Sequence, residues 1–78
     1  MKEIILPRLG ETMENGSISK WLVEVGDQFE RGQTIAEVES DKTIIELPAL
    51  ENGKLIEILV NENEEVSVGT IIAKYESA

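Results

Sequence analysis

Shifted by 37 positions, the chain falls on itself. Gly16 meets Gly53, Leu22 meets Leu59, Val23 meets Val60, Gly32 meets Gly69, Ile35 meets Ile72 and Ala36 meets Ala73, with Ile18 on Leu55 and Asp27 on Glu64. A repeat of this length in a chain of 78 residues demands two similar halves, and neither half is large enough to bury its own apolar face. Gly26 falls on Asn63, the exchange expected if that turn residue takes positive φ, which glycine and asparagine tolerate best. Apolar residues at 18, 21 and 23, and again at 55, 58 and 60, break strict alternation at the same place in each half, which predicts a β-bulge in both. A further match, Leu6-Pro7 on Leu47-Pro48, has an offset of 41. On that alignment RLGETMEN (residues 8–15) stands against ALEN (residues 49–52), and the first loop is a four-residue insertion relative to the chain's own symmetry.

The halves are β-structure. Ten Ile and six Val stand against one Phe, one Trp and one Tyr, and branched side chains pack well on a pleated surface. No segment keeps a helical apolar period over ten residues. Six strands can be delimited, at residues 3–6, 17–23, 35–39, 43–47, 54–60 and 71–75, with glycines and prolines between them. This predicts an all-β flattened barrel or sandwich with an approximate twofold axis, one domain over residues 1–78. Asp41-Lys42 joins the halves, so its symmetry mate is the gap between the chain's end and its beginning. The hairpin tip and the termini are expected at opposite poles.

Composition excludes much chemistry. With no Cys and no His there is no thiolate or imidazole metal site, no thiol nucleophile and no base to activate Ser17, Ser19, Ser40 or Ser67 as a hydrolase would. A net charge of −9, from seven Lys and Arg dispersed among sixteen Asp and Glu, argues against nucleic acid or an anionic membrane and for protein partners with basic surfaces. No apolar run approaches the length of a membrane span and no signal-peptide pattern follows Met1, so the chain is expected to be soluble and intracellular.

Five lysines remain as candidates. Lys20, Lys54 and Lys74 fall on Glu57, Ser17 and Glu37, positions that accept any polar residue, and Lys2 is near a terminus. Lys42 alone stands at a tip, between strands anchored by Val38, Ile45 and Leu47. A solvated lysine on a two-residue turn is a poor unaided nucleophile and a good attachment point, although a polar turn is the plain structural reading of the same residues. The run 61–65 lacks the alternating ligands and central glycine of a Ca²⁺ loop and reads as a solvated turn. Trp21 reads as core.

Three stretches, LPRLGETMENGSISKWLVEVGD (6–27), GQTIAEVESDK (32–42) and ELPALENG (46–53), make the chain resemble the lipoyl domains of 2-oxo acid dehydrogenase complexes, as found in their dihydrolipoamide acyltransferase component. Related biotinyl carrier domains usually read Ala-Met-Lys-Met at the tip, where this chain has Ser40-Asp41-Lys42-Thr43; the lipoyl family most often has Ala at the position of Thr43. The resemblance implies a barrel-sandwich hybrid of two four-stranded sheets, two more strands than the residues alone delimit. It implies a non-catalytic carrier whose Lys42 is joined to lipoic acid by a lipoate ligase or lipoyl transferase that reads Ser40, Asp41 and Thr43. The implied partners are a thiamine-diphosphate 2-oxo acid decarboxylase, an acyltransferase core and dihydrolipoamide dehydrogenase, in the cytoplasm or a mitochondrial matrix, with the isolated domain a monomer. Arg8, Glu11 and Glu14 on the inserted loop are expected to give the decarboxylase a charged surface to read; the plain structural alternative is that Leu9 and Met13 pack under the loop as a hydrophobic lid. A biotinyl carrier and an unmodified interaction module are the alternatives.

Overall fold

The computed structural model describes residues 1–10, 13–40 and 43–78. They form eight strands: β1 (Lys2–Ile5), β2 (Asn15–Trp21), β3 (Gln28–Phe29), β4 (Thr34–Ser40), β5 (Thr43–Pro48), β6 (Gly53–Ile58), β7 (Glu65–Ser67) and β8 (Ile71–Ser77). Two antiparallel sheets run in the order β1-β8-β6-β3 and β5-β4-β2-β7. A shift of 37 carries β2, β3 and β4 onto β6, β7 and β8, so the twofold exchanges the sheets. Among the described residues no helix is long and apolar enough to cross a membrane.

The repeat is reproduced in burial and in hydrogen bonding. Ile18 and Leu55, Ile35 and Ile72, Val23 and Val60, and Ala36 and Ala73 are buried in matching pairs in the one core, while Leu22 and Leu59 are exposed in both halves. Pairing of β2 with β4 slips between Ile18 and Lys20, and pairing of β6 with β8 slips between Leu55 and Glu57. These are the two bulges the apolar spacing predicts. Gly26 and Asn63 both take positive φ, at 98° and 67°. The turns are tied in the same way: Asp27 Oδ2 accepts from the Glu24 amide at 2.9 Å and Glu64 Oε1 from the Asn61 amide at 3.1 Å.

Two expectations need correction. The strands β3 and β7 escape a pattern search because two or three residues cannot establish alternation, yet they are each other's mates in the repeat. The first strand, moreover, does not follow its Leu-Pro match. The Leu6 amide donates to Thr70 O at 2.9 Å and the Gly69 amide to Leu6 O at 2.8 Å; the Ala49 amide donates to Gln33 O and the Gly32 amide to Ala49 O, both at 2.8 Å. Because Gly69 and Thr70 are the mates of Gly32 and Gln33, Leu6 corresponds to Ala49, 43 positions on, and not to Leu47. Residues 7–15 therefore stand against 50–52, and the insertion is six residues long. The identical dipeptides are a coincidence of composition: Leu47 is buried by pairing opposite Ala36, whereas Leu6 is held by the Gly69-Thr70 turn.

The insertion has a packing role. A Cβ built on Gly53 would meet Glu76 O and Tyr75 Cδ2 at 2.7 Å and Phe29 Cζ at 3.1 Å; one built on Gly16 would meet Met13 Cε at 2.7 Å, and Glu39 O and Val38 Cγ1 at 3.3 Å. Glu39 and Val38 are the mates of Glu76 and Tyr75. The mate of Phe29 is Val66, which is too short to reach, and Met13 from the inserted loop stands in its place. Met13 is 6% exposed, with Leu9 packed half-buried against the same core.

Candidate functional site

The β4-β5 hairpin pairs Glu37 with Glu46, Val38 with Ile45, Glu39 with Ile44 and Ser40 with Thr43. Val38 and Leu47 are buried and Ile45 half-buried, so apolar residues on the inward side of both strands anchor the hairpin as expected. From the Ser40–Thr43 pair the chain passes through Asp41 and Lys42, which lie outside the described residues, as does Glu11.

A shallow recess beside the hairpin end is lined by Ser40, Thr43 and Ile45 of the hairpin, by Gly10, Met13 and Glu14 of the inserted loop, by Asn15 at the start of β2, and by Glu65 of β7. The expected neighbours Ser40, Thr43 and Glu14 are thus brought together; Arg8 is exposed and does not line the recess. Sequence reasoning missed Glu65. The only signal for Glu65 was its place in the repeat opposite Gln28. In register, Ile44, Glu39, Ser17 and Glu65 form one row across the four strands. Carboxylates flank Ser17 on both sides, so the sheet below the tip presents negative charge and an exposed Ile44.

The loop is fastened at several points. The Met13 amide donates to Gly10 O at 3.2 Å, the Leu9 amide to Met13 Sδ at 3.3 Å, and the Val68 amide to Glu14 O at 2.9 Å.

The other candidates have structural roles. Trp21 is half-buried against the core, with its Nε1 donating to Val60 O and its amide to Glu62 Oε2, each at 2.9 Å. Glu62 and Glu64 of the acidic run thus accept backbone amides, and among the described residues no group of acidic side chains is arranged to hold a metal. Lys2 is salt-bridged to Glu51 at 2.7 Å. Glu51 also accepts from Tyr75 Oη and Ser77 Oγ at 2.7 Å, and the Ala78 amide donates to Asn52 O at 3.1 Å. Both ends of the chain therefore meet at the turn after β5, among residues that share none with the recess. Hydrogen bonds from Lys2, Tyr75 and Ser77 hold the Glu51 carboxyl down to about 2, while burial and the Glu51 charge push the Tyr75 phenol up to about 12. A more enclosed apolar groove of about 370 Å³ opens between β1 and β5, lined by Ile5, Pro7, Leu9, Pro48 and Leu50 among others. Its lining brings no polar groups together around a reacting atom, and it shares no residue with the recess at the hairpin end.

A two-sheet β-fold, closed by a hairpin whose paired strands end at Ser40 and Thr43, is matched over residues 2–75 by the biotin/lipoyl family, described as "Biotin-requiring enzyme". The chain belongs to that family. Among solved structures it is similar to the lipoyl domain of the 2-oxoglutarate dehydrogenase complex from Azotobacter vinelandii, with a TM-score of 0.77, 28% identity, and 96% of this chain and 95% of that one covered. It is 44% identical over 70 residues to the dihydrolipoyllysine-residue acetyltransferase component of the acetoin cleaving system of Bacillus subtilis, covering 90% of this chain and 18% of that protein. It is 42% identical over 73 residues to the dihydrolipoyllysine-residue succinyltransferase component of the 2-oxoglutarate dehydrogenase complex of Staphylococcus saprophyticus, covering 94% of this chain and 17% of the relative. The chain therefore spans less than a fifth of the length of these curated relatives. Within the biotin/lipoyl family it is a lipoyl-type carrier domain and not itself an enzyme.

Proposed function

We propose that the ε-amine of Lys42 is joined in an amide to lipoic acid by a lipoate ligase or lipoyl transferase, and that the domain carries acyl groups within a 2-oxo acid dehydrogenase type of complex. The reading rests on one observation: Ser40 and Thr43 end a well-anchored antiparallel pair with only Asp41 and Lys42 between them, in a chain of the lipoyl type. The described surroundings suit such a group, because the recess beside the hairpin is open and no side chain in it is a buried polar atom without a partner. When attached, the lipoyl group would supply a dithiolane, the disulfide required for reductive acylation by a thiamine-diphosphate 2-oxo acid decarboxylase, for acyl transfer to coenzyme A at an acyltransferase core and for reoxidation of the resulting dithiol by dihydrolipoamide dehydrogenase.

The chain's own residues hold and present the lysine. Val38, Ile45 and Leu47 fix the hairpin, Ser40, Asp41 and Thr43 give the ligase its local context, and Arg8, Glu11 and Glu14 give the decarboxylase a charged loop to read. Attachment to a folded carrier makes each encounter effectively intramolecular, with local concentrations on the order of millimolar. Such a module works in the cytoplasm or the mitochondrial matrix. The test is intact mass after co-expression with a lipoate ligase and, separately, a biotin ligase: a lipoyl adduct on the chain and none on Lys42→Ala is expected. A biotin adduct, or no adduct under either condition, overturns the assignment.

A further inference from the structure

Phe29 and Met13 do the same packing in the two halves but arrive from different kinds of backbone. Phe29 belongs to β3 and, through it, to the sheet. Met13 comes from the inserted loop, and in filling the space that Val66 leaves open it fastens that loop. Its methyl and Val38 Cγ1 flank the same point above Gly16, and Val38 lies two residues before the hairpin end. Its Sδ accepts the Leu9 amide at 3.3 Å and its own amide donates to Gly10 O at 3.2 Å, closing the loop on itself. The next residue, Glu14, is one of the lining residues of the recess that includes Ser40 and Thr43.

We infer that Met13 is a positioning residue, locking residues 8–10 and 13–15 of the inserted loop onto β4 near the hairpin end and so fixing Glu14 beside Ser40 and Thr43 for the decarboxylase that acylates the arm. The inference rests on the proposed carrier function. The loop's recognition of its partner depends on a core contact because a side chain on an unfastened loop must be ordered at the moment of binding, which weakens association. Truncating the side chain removes the loop's core contact and the acceptor of the Leu9 amide, leaves the Val68 amide to Glu14 O bond as a backbone tie, and touches no group the partner reads.

The experiment uses the 78-residue chain as wild type, Met13→Ala, Met13→Leu and Gly16→Ala, with Ile72→Val as a mild core truncation in the other sheet. Gly16→Ala is independent of Met13→Ala: it keeps the thioether and displaces it, since the added Cβ would meet Cε at 2.7 Å. Four quantities are read at a temperature where every variant is folded: KM and kcat for reductive acylation of the lipoylated form, the inhibition constant of the unlipoylated form as competitor in that reaction, and the hydrogen-exchange rate of the Leu9 amide. Expected are a rise of about tenfold in both KM and the inhibition constant for Met13→Ala and Gly16→Ala, equivalent to about 1.4 kcal/mol, with kcat unchanged and faster Leu9 exchange. Met13→Leu, which restores the bulk, should stay within about twofold of wild type. Wild-type KM in both Met13→Ala and Gly16→Ala, or an equal rise in Ile72→Val, overturns the inference alone. A lipoylated wild type that no 2-oxo acid decarboxylase acylates overturns the proposed function and the inference with it.

Discussion

Gly26 and Asn63 hold one place in the two halves of the chain, each at positive φ and each donating its amide at 2.7 Å to the opposite half's bulged strand, Gly26 to Leu55 O and Asn63 to Ile18 O. An L-residue other than Asn or Gly pays roughly 1–2 kcal/mol in this conformation. Gly26→Ala should therefore lower stability by about that amount, while Asn63→Gly stays within about 0.5 kcal/mol of wild type. Urea titration of the two variants checks both, and a neutral Gly26→Ala would refute the backbone argument.

The Glu51 cluster makes stability depend on pH in two windows. A carboxyl lowered to about 2 from 4.5 stabilises the folded chain fully above its unfolded value, and that contribution disappears as pH falls from 4.5 to about 2. The advantage of wild type over Glu51→Gln should shrink across that interval in acid melts. Tyr75 runs the other way: a phenol raised from 10.0 to about 12 contributes below pH 10.0 and loses its contribution as pH rises to about 12. As Tyr75 is the one tyrosine, ultraviolet titration reports it directly. Glu51→Gln should bring its midpoint down toward the ordinary value, and an unchanged midpoint would show that burial acts alone.

Shortening residues 8–15 to the four-residue length first expected from symmetry deletes Met13 from the core. The loss should be in the range of about 2–5 kcal/mol found for truncating large buried aliphatic side chains to Ala, visible as a lowered midpoint in circular dichroism melting. A melt like that of wild type would mean that Val66 or Leu9 can close the gap.

Exchanging Asp41 and Lys42 should stop lipoylation while leaving the melt unchanged. The Ser40–Thr43 pair is fixed, and side-chain direction alternates along a strand, so a shift of one position re-aims the amine. Normal adduct formation on the exchanged chain, read by intact mass, would remove any role for position.

What the sequence revealed and what it hid follow from the range of the forces involved. The repeat exposed the core pairs, both bulges and the turn at Gly26 and Asn63, because those features depend on side chains a few positions apart. The hairpin flanking Asp41-Lys42 was legible for the same reason. β3 and β7 were not, since so short a strand exists only through its partner. Leu6-Pro7 and Leu47-Pro48 misled, because dipeptide identity says nothing about which amide a turn carbonyl will accept. That Leu9 and Met13 pack under the loop was legible, but Glu65 and the Glu51 cluster were invisible because each joins segments far apart in the chain.

The amides of Gly26 and Asn63 each find their acceptor in the opposite half, and this has a kinetic consequence. Neither half can complete its own turn, so a half-folded species leaves these amides unpaired. The nucleus must contain both halves, closed over a loop of some tens of residues before the first of these bonds forms. A chain with such distant pairings should fold in a single phase on the millisecond-to-second scale, slowly for its size, and two fragments severed between Asp41 and Lys42 should stay unstructured apart and fold only on meeting.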